Sequence, residues 1–134
     1  DLHDLERKVR YAMSFHGARY IHILVPCPLG WGAPSAKTIE LARLAHETGL
    51  FPVFEAEYGE VTNVSKIRRK QPVEKYLMLQ KRFAHLFGKK GNPEIVQRMQ
   101  ALADRNIARY GLLGDEQGDD IPVPEQAEER HHVI

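Results

Sequence analysis

The alternation of apolar and polar residues predicts helices in the first half of the chain. Over residues 1–15, apolar side chains recur at spacings of three and four, with charged residues between them. This period is typical of an amphipathic helix whose apolar face packs on a sheet. A second helix is expected over residues 36–48, because Ser35 is a suitable N-cap and Gly49 stands where a C-cap should be. The apolar positions of the first helix are Leu2, Leu5, Val9, Ala12 and Met13.

Two further helices are predicted in the second half. Pro72 suits the first turn of a helix over residues 72–87, which the glycines between 88 and 91 should end. Asn92 is then expected to cap a helix over residues 93–110. Its apolar stripe should pack on the body of the protein or on a neighbouring subunit. The stripe consists of Ile95, Val96, Met99, Leu102, Ala103, Ile107 and Tyr110.

A central strand is predicted over residues 20–25, which are apolar at nearly every position. Such a run is typical of a strand that is covered on both faces in an α/β sheet. Pro26 cannot donate a ladder hydrogen bond, so pairing should end there. Cys27 is then expected on a loop at the carboxyl end of the strand, the edge at which open α/β sheets bind ligands.

A second strand is expected over residues 51–58, followed by a short returning strand over residues 61–67. Alternation along the first of these places Glu55 and Glu57 on one face. Two carboxylates on one face could act as acid and base or hold a cation. A solvated or salt-bridged face is the favoured interpretation, because Glu is mostly exposed or paired.

Composition is that of an ordinary globular domain. The chain has 134 residues, 43% hydrophobic and 28% charged, and no apolar run approaches the ~18 residues of a membrane helix. The single cysteine excludes an internal disulfide framework and fits a reducing, cytoplasmic compartment. Since the sequence begins Asp1-Leu2-His3, without an initiator methionine, we expect it to be a piece of something longer.

The net charge of +1 conceals a division between body and tail. Residues 1–111 carry 18 Lys and Arg against 11 Asp and Glu, whereas residues 112–134 carry one Arg against seven acids. The tail is expected to be disordered, and its adjacent histidines, His131 and His132, to be exposed rather than metal-binding. The basic cluster of Lys66, Arg68, Arg69 and Lys70 contains no aromatic residue, so nucleic acid is not the expected partner. The cluster could be a solvated loop, a subunit contact or a site for an anionic group, and the sequence leaves these alternatives open.

Cys27 is the candidate for chemistry. A lone cysteine is ordinarily a small buried hydrophobic residue. Here it lies between Pro26 and Pro28 and is followed by Gly30 and Gly32, so the thiol should be rigid and presented. It could be a nucleophile if a base is near, or one ligand of a metal site whose other ligands lie elsewhere. No histidine lies next to it in the sequence, which weakens the nucleophile interpretation.

Two ordered motifs suggest a family. The sequence resembles, over residues 5–86, the C-terminal part of the β subunit of 2-oxoacid:ferredoxin oxidoreductases of the pyruvate synthase type. The motifs are Pro26-Cys27-Pro28-Leu29-Gly30-Trp31 and Pro72-Val73-Glu74-Lys75-Tyr76-Leu77, the latter followed by Gln80, Arg82-Phe83 and His85-Leu86.

The resemblance implies a fold and its divisions. It predicts the C-terminal portion of a thiamine diphosphate-binding α/β fold, with a mainly parallel sheet flanked by helices and a helical C-terminal extension. We expect residues 1–87 to belong to this domain and residues 88–111 to form the extension. Residues 112–134 would then be the acidic tail.

The resemblance also implies a reaction. These enzymes oxidatively decarboxylate a 2-oxoacid to an acyl-CoA and pass electrons through iron–sulfur clusters to ferredoxin or another acceptor. Their cofactors are thiamine diphosphate, Mg²⁺ and a 4Fe-4S cluster, and Cys27 would be the fourth cluster ligand, the others lying in the N-terminal half of the subunit. Partners would be the other subunits, the 2-oxoacid and coenzyme A, with neither nucleic acid nor membrane.

The resemblance has limits that bear on activity. Leu29 stands where the family often has threonine and Phe51 where tryptophan is common, so a bulkier aromatic 2-oxoacid is an alternative to pyruvate. No catalytic residue is assigned to this chain, which by itself should be inactive. The competing hypothesis is a non-catalytic module for subunit assembly in which Cys27 is inert.

Overall fold

Residues 2–114 are described in a computed structural model of the chain. Most of the regular structure is helical, and the two strands form one hairpin. Two short 3₁₀ segments, Ser35–Lys37 and Lys81–Leu86, complete the described elements. The helices are α1 (Leu2–Ser14), α2 (Pro28–Trp31), α3 (Thr38–Glu47), α4 (Val73–Met78) and α5 (Pro93–Tyr110), and the strands are β1 (Phe54–Glu57) and β2 (Glu60–Val64).

The main core lies where α3, α4 and α5 meet the second 3₁₀ segment. Full burial of a leucine or valine side chain in this core stabilises the fold by roughly 1.5–3 kcal/mol. Gly49, just after α3, allows α5 to approach closely: its φ is +78°, and a Cβ there would lie 2.6 Å from Cγ1 of Ile107. The buried members are Leu41, Leu44, Ala45, Val73, Tyr76, Leu77, Leu86 and Ala103.

The predicted first and last helices are confirmed as α1 and α5. Asn92 caps α5 as expected, since its Oδ1 accepts a hydrogen bond from the backbone N–H of Ile95 at 3.3 Å. The helix after Ser35 also forms, but its α-helical part begins at Thr38 and the Ser35 side chain makes no capping bond. Local sequence signals were therefore sufficient for α1 and α5, whereas the predicted Ser35 N-cap is wrong because Lys37 precedes the first residue of α3.

The predicted continuous helix over residues 72–87 is wrong. α4 ends at Met78, and the chain resumes as a 3₁₀ segment from Lys81. The interruption is at Gln80, which is buried and whose side-chain Nε2 donates to the carbonyl of Tyr76 at 2.7 Å. A side chain that bonds to the preceding turn competes with the backbone donor that would continue the helix.

The predicted hairpin forms, shorter than expected. β1 and β2 pair antiparallel, with Phe54 opposite Val64 and an irregularity between Glu55 and Ala56. The turn between them has positive φ at both Tyr58 and Gly59, as in the tight turns whose twist matches a hairpin.

The predicted mainly parallel sheet is not present in residues 2–114, whose one sheet is the antiparallel hairpin. Residues 20–25 form neither helix nor strand. Tyr20 is 86% exposed and Val25 71% exposed, so the predicted burial on both faces is also wrong. A run that is apolar on both faces needs neighbouring strands, and within the described part of the chain no strand pairs with it.

Helix α1 is attached to the hairpin through polar contacts rather than through its apolar face. None of its side chains is buried, and Leu2 and Met13 are largely exposed. The expected packing of its stripe on a sheet is therefore wrong. Instead, Arg7 pairs with Glu55, and the Tyr11 hydroxyl donates to Glu57 Oε1 at 2.7 Å.

A second small cluster closes the far end of α5. It consists of Ile67, Ile107 and Leu112, and the N–H of Ile67 donates to the carbonyl of Leu112 at 2.7 Å. The first residues after α5 are therefore packed. Residues 115–134, with the predicted acidic tail and His131 and His132, lie outside the described residues.

Candidate functional site

Cys27 lies at the N-terminus of the one-turn helix α2, where the sequence predicted a loop. Its backbone is extended (φ −105°, ψ 102°), Pro28 is at the first helical position, and the N–H of Trp31 donates to the Cys27 carbonyl at 3.0 Å. Pro28 was the available signal, because proline is favoured at that position. The thiol is exposed, so the interpretation as a buried hydrophobic residue does not describe it in this chain.

Among the described residues, the backbone N–H of Gly30 donates a hydrogen bond to the thiol sulfur, 3.4 Å from Sγ. A side chain at position 30 would crowd this contact, because its Cβ would lie 3.3 Å from Sγ. Glycine therefore lets the peptide N–H reach the sulfur without competition from a side chain. N–H groups of this kind stabilise thiolates and tune metal-bound sulfur.

The end of α2 is joined to the start of the second 3₁₀ segment. Gly32 has a left-handed φ of +63°, and its carbonyl accepts the N–H of Lys81 at 3.2 Å. A Cβ on Gly32 would lie 2.7 Å from Cβ of Lys81, so only glycine fits this close approach. The Gly-Trp-Gly sequence is thus a docking element and not a free loop.

Arg82 continues the attachment of α2 to this 3₁₀ segment. Its guanidinium carbon lies 4.2 Å from the centroid of the Trp31 ring and 4.7 Å from that of Phe83. Its Nε donates to Oε1 of Gln80 at 2.9 Å. Cation–π contacts at exposed positions contribute about 0.5–1 kcal/mol each. Sequence reasoning included Gln80 and Arg82 in a family motif but gave them no role.

The described residues could supply one ligand of a metal centre but not a complete set of ligands. In residues 2–114 no group of three or more His, Cys, Asp or Glu side chains is arranged to hold a metal ion. An exposed thiol with a backbone donor suits a single thiolate ligand of a cluster that other protein segments complete. The same residues do not fit an all-protein Mg²⁺ site, which needs several oxygen ligands.

The paired carboxylates of β1 face α1 and are engaged there. Arg7 Nη1 donates to Glu55 Oε2 at 3.2 Å, and Asn63 Nδ2 donates to Glu55 Oε1 at 3.0 Å. The Arg7 hydrogen bond, opposed in part by burial, holds the pKa of the Glu55 carboxyl below its ordinary value. These contacts support the interpretation of a solvated or salt-bridged face over an acid–base pair, since Glu55 is ion-paired and Glu57 accepts the Tyr11 hydroxyl hydrogen bond.

The basic cluster is partly structural. Lys70 pairs with Asp104 of α5 at 2.7 Å, and Lys66 Nζ donates to the carbonyl of Gly111 at 2.7 Å. The hydrogen bond from Lys70 lowers the pKa of Asp104. Arg68 and Arg69 are exposed. Half of the cluster therefore fastens α5 to the body of the chain.

An open cavity of about 460 Å³ lies away from Cys27, between the hairpin and the end of α5. Phe54 and Tyr110 stack within it, with ring centroids 4.9 Å apart. The lining contains no nucleophile or carboxylate that could define a reaction. It is formed by Phe54, Ala56, Gly59, Val61, Arg109 and Tyr110.

None of the helices in residues 2–114 has the length and apolar content needed to span a bilayer.

No protein-family model matches the chain. Curated relatives are nevertheless clear. Pyruvate synthase subunit PorB of Methanosarcina barkeri is 49% identical over 109 residues, which cover 81% of this chain and 37% of that protein.

Other relatives agree. PorB of Methanocaldococcus jannaschii is 43% identical over 109 residues, covering 81% of this chain and 35% of that protein. Ketoisovalerate oxidoreductase subunit VorB of Pyrococcus abyssi is 39% identical over 97 residues, covering 71% of this chain and 30% of that protein. The chain therefore spans less than half the length of these curated relatives.

Proposed function

The chain is homologous to a part of pyruvate synthase subunit PorB, and we propose that it forms the C-terminal portion of the β subunit of a 2-oxoacid:acceptor oxidoreductase. That complex would convert a 2-oxoacid to an acyl-CoA by oxidative decarboxylation and pass the electrons to ferredoxin or another acceptor. Its relatives are named for pyruvate and for ketoisovalerate. They support the 2-oxoacid class of substrate rather than one particular acid.

The observation that carries the proposal is the position of Cys27. We assign it as one thiolate ligand of a 4Fe-4S cluster, which supplies one-electron transfer when bound. The exposed sulfur, the rigid Pro-Cys-Pro backbone and the Gly30 N–H at 3.4 Å support this assignment. The remaining cluster ligands, thiamine diphosphate and Mg²⁺ would be held by polypeptide outside this chain.

Residues 20–25 would become a strand of a parallel sheet in the assembled subunit. Ile23 is 54% exposed, and Ile21 and Val25 are exposed as well, whereas Leu24 is partly buried against the main core. Exposed apolar groups of this kind are characteristic of a surface that another segment covers. Because the run leads directly into Pro26 and Cys27, pairing it would also fix the direction in which the thiol points.

The proposed setting is a cytoplasmic complex with other oxidoreductase subunits. A reducing compartment would keep the exposed Cys27 thiol available for a metal. Homology to subunits of two named oxidoreductases supports such an assembly.

Replacement of the sulfur tests the proposal. In the assembled complex, Cys27→Ser should lower the iron content and alter the EPR signal of the cluster, because an alcohol oxygen is a poor ligand for iron in this setting. Ala36→Ser, at an exposed position of the first 3₁₀ segment, is the matched control and should leave both unchanged. Unchanged iron in Cys27→Ser would instead support an assembly module with an inert cysteine.

A further inference from the structure

We propose that Arg82 is a positioning residue for the turn that carries Cys27. Its functional consequence, the tuning of a cluster at Cys27, rests on the proposed function. The contacts that carry it are those between Arg82, Trp31 and Gln80, and they are independent of any metal.

The turn needs external support. Helix α2 has four residues, and a single helical turn is unstable in isolation because nucleation is unfavourable. Its support within the described residues is tertiary: the Gly32 carbonyl accepts the Lys81 N–H, and the Trp31 ring packs against the main core. Whatever fixes the Trp31 ring therefore also fixes the backbone that leads back to Cys27.

Arg82 fixes the ring from its solvent side. Its guanidinium carbon is 4.2 Å from the ring centroid of Trp31, and its Nε is held by Oε1 of Gln80 at 2.9 Å. Gln80 is itself only 1% exposed and donates to the carbonyl of Tyr76. A buried amide that precedes the second 3₁₀ segment thus orients an exposed arginine, and the arginine orients the ring.

The guanidinium of Arg82 forms no ion pair with the described residues. No carboxylate in residues 2–114 lies within ion-pairing distance of it. Its planar group is used for stacking and for one hydrogen bond to a neutral amide. Lysine has neither the plane nor the Nε donor, so the site requires arginine specifically.

The consequence lies at the sulfur. If the ring is released, the turn frays and the Gly30 N–H moves relative to Sγ of Cys27, now 3.4 Å away. Hydrogen bonds to cluster sulfurs are one of the factors that set the reduction potential. Loss of Arg82 is therefore expected to change the potential of a cluster at Cys27 without removing a ligand.

The full chain offers two unambiguous probes, because Trp31 is its only tryptophan and Cys27 its only cysteine. Arg82→Ala should shift Trp31 fluorescence to longer wavelength, increase its quenching by acrylamide and raise the mobility of a nitroxide attached to Cys27. Arg82→Lys should move all three in the same direction. Arg98→Ala removes an exposed arginine of α5 that pairs with Glu94 and should change none.

A second pair of variants separates positioning from folding. Trp31→Phe keeps an aromatic ring for the guanidinium and should leave the Cys27 nitroxide nearly as immobile as in the wild type. Trp31→Leu fills the space without a π system and should mobilise it. If Arg82→Ala or Trp31→Leu leaves the nitroxide as immobile as in the wild type, Arg82 does not position the turn and the inference fails.

The assembled complex supplies the readout that ordinary destabilisation would not move. Arg82→Lys, which retains the positive charge, should keep the wild-type iron content but disfavour cluster reduction by about tenfold, ~59 mV for a one-electron couple. An unchanged potential would overturn the inference. If Cys27→Ser retains its iron, the proposed ligand role fails instead, and the nitroxide result still decides whether Arg82 positions the turn.

Discussion

The backbone N–H of Gly30 donates to Sγ of Cys27 at 3.4 Å, across a single turn of helix. This contact gives the exposed thiol a defined direction. It depends on Pro28, which starts the turn, and on the absence of a side chain at position 30. The local sequence thus builds a presented sulfur before any partner segment is added.

Gly32→Ala tests the docking of this turn. The new Cβ would lie 2.7 Å from Cβ of Lys81, and alanine is strained at a φ of +63°. We expect the free energy of unfolding of the chain to fall by about 1–3 kcal/mol. Thermal or denaturant unfolding measures it.

Gly111→Ala is the matched control for Gly32→Ala. Gly111 is also a left-handed helix C-cap, with a φ of +58°, but a Cβ there would have no neighbour within 4 Å. It reports backbone strain alone, so its effect should be the smaller of the two. Equal losses would mean that contact with Lys81 is unimportant.

Gly30→Ala tests the N–H contact itself. Its Cβ would lie 3.3 Å from Sγ of Cys27, so the sulfur must move by a few tenths of an ångström. We expect the EPR spectrum of the assembled complex to change with little loss of iron. Gly114→Ala, where a Cβ meets open space, should leave the spectrum unaltered, and an identical spectrum for Gly30→Ala would count against a cluster at this turn.

The pair of Arg7 and Glu55 makes the attachment of α1 dependent on pH. Because the pKa of Glu55 is lowered in the folded chain, its contribution is complete above the ordinary value of 4.5 and disappears as the pH falls through the lowered value. Both groups are partly exposed, so the contribution should be at most about 1 kcal/mol.

Unfolding of Glu55→Gln and of the wild-type chain, followed from pH 7 down to pH 3, measures this contribution. The stability difference should be present near neutrality and vanish in acid. Glu60→Gln, at an exposed position of β2, should show no such difference. A Glu55→Gln difference that is constant over the whole range would exclude the ion pair as its cause.

Ile23→Asp tests whether residues 20–25 are covered in the complex. A carboxylate in a strand buried on both faces is destabilising, so assembly with the rest of the β subunit should weaken at least tenfold. Ile39→Asp alters an isoleucine of α3 that is 72% exposed and should assemble normally. Amide exchange of residues 20–25 should be fast in the free chain and slow in the complex; equally fast exchange in both would contradict the proposed strand.

Local signals were sufficient to predict α1, α5 and the hairpin. Asn92 with Pro93 marked the start of α5, and its periodic stripe marked its length. The sequence pattern alone could not establish whether residues 20–25 pair as a strand. A strand forms only beside a neighbouring strand, and none pairs with these residues in the range 2–114. The apolar run therefore indicates a need for neighbouring strands that the described residues do not supply.

The sequence identified the central residue of the site but not the contacts that surround it. The motif around Cys27 identified the residue, and Pro28 carried an unused signal for α2. The stacking of Arg82 on Trp31 joins residues 51 positions apart, and no periodicity reports such a contact. Gln80 interrupts a helix through a side-chain bond that depends on its burial, which the sequence does not specify.

The position of iron relative to Cys27 decides whether this chain contributes to an electron-transfer centre. Crystals of the assembled complex, measured at the iron absorption edge, locate iron by its anomalous scattering. We predict an iron atom bonded directly to Sγ of Cys27, with α2 and the Arg82–Trp31 stack in place beside it. A Cys27 side chain turned into the protein interior, with no iron in bonding distance, would contradict the proposed function.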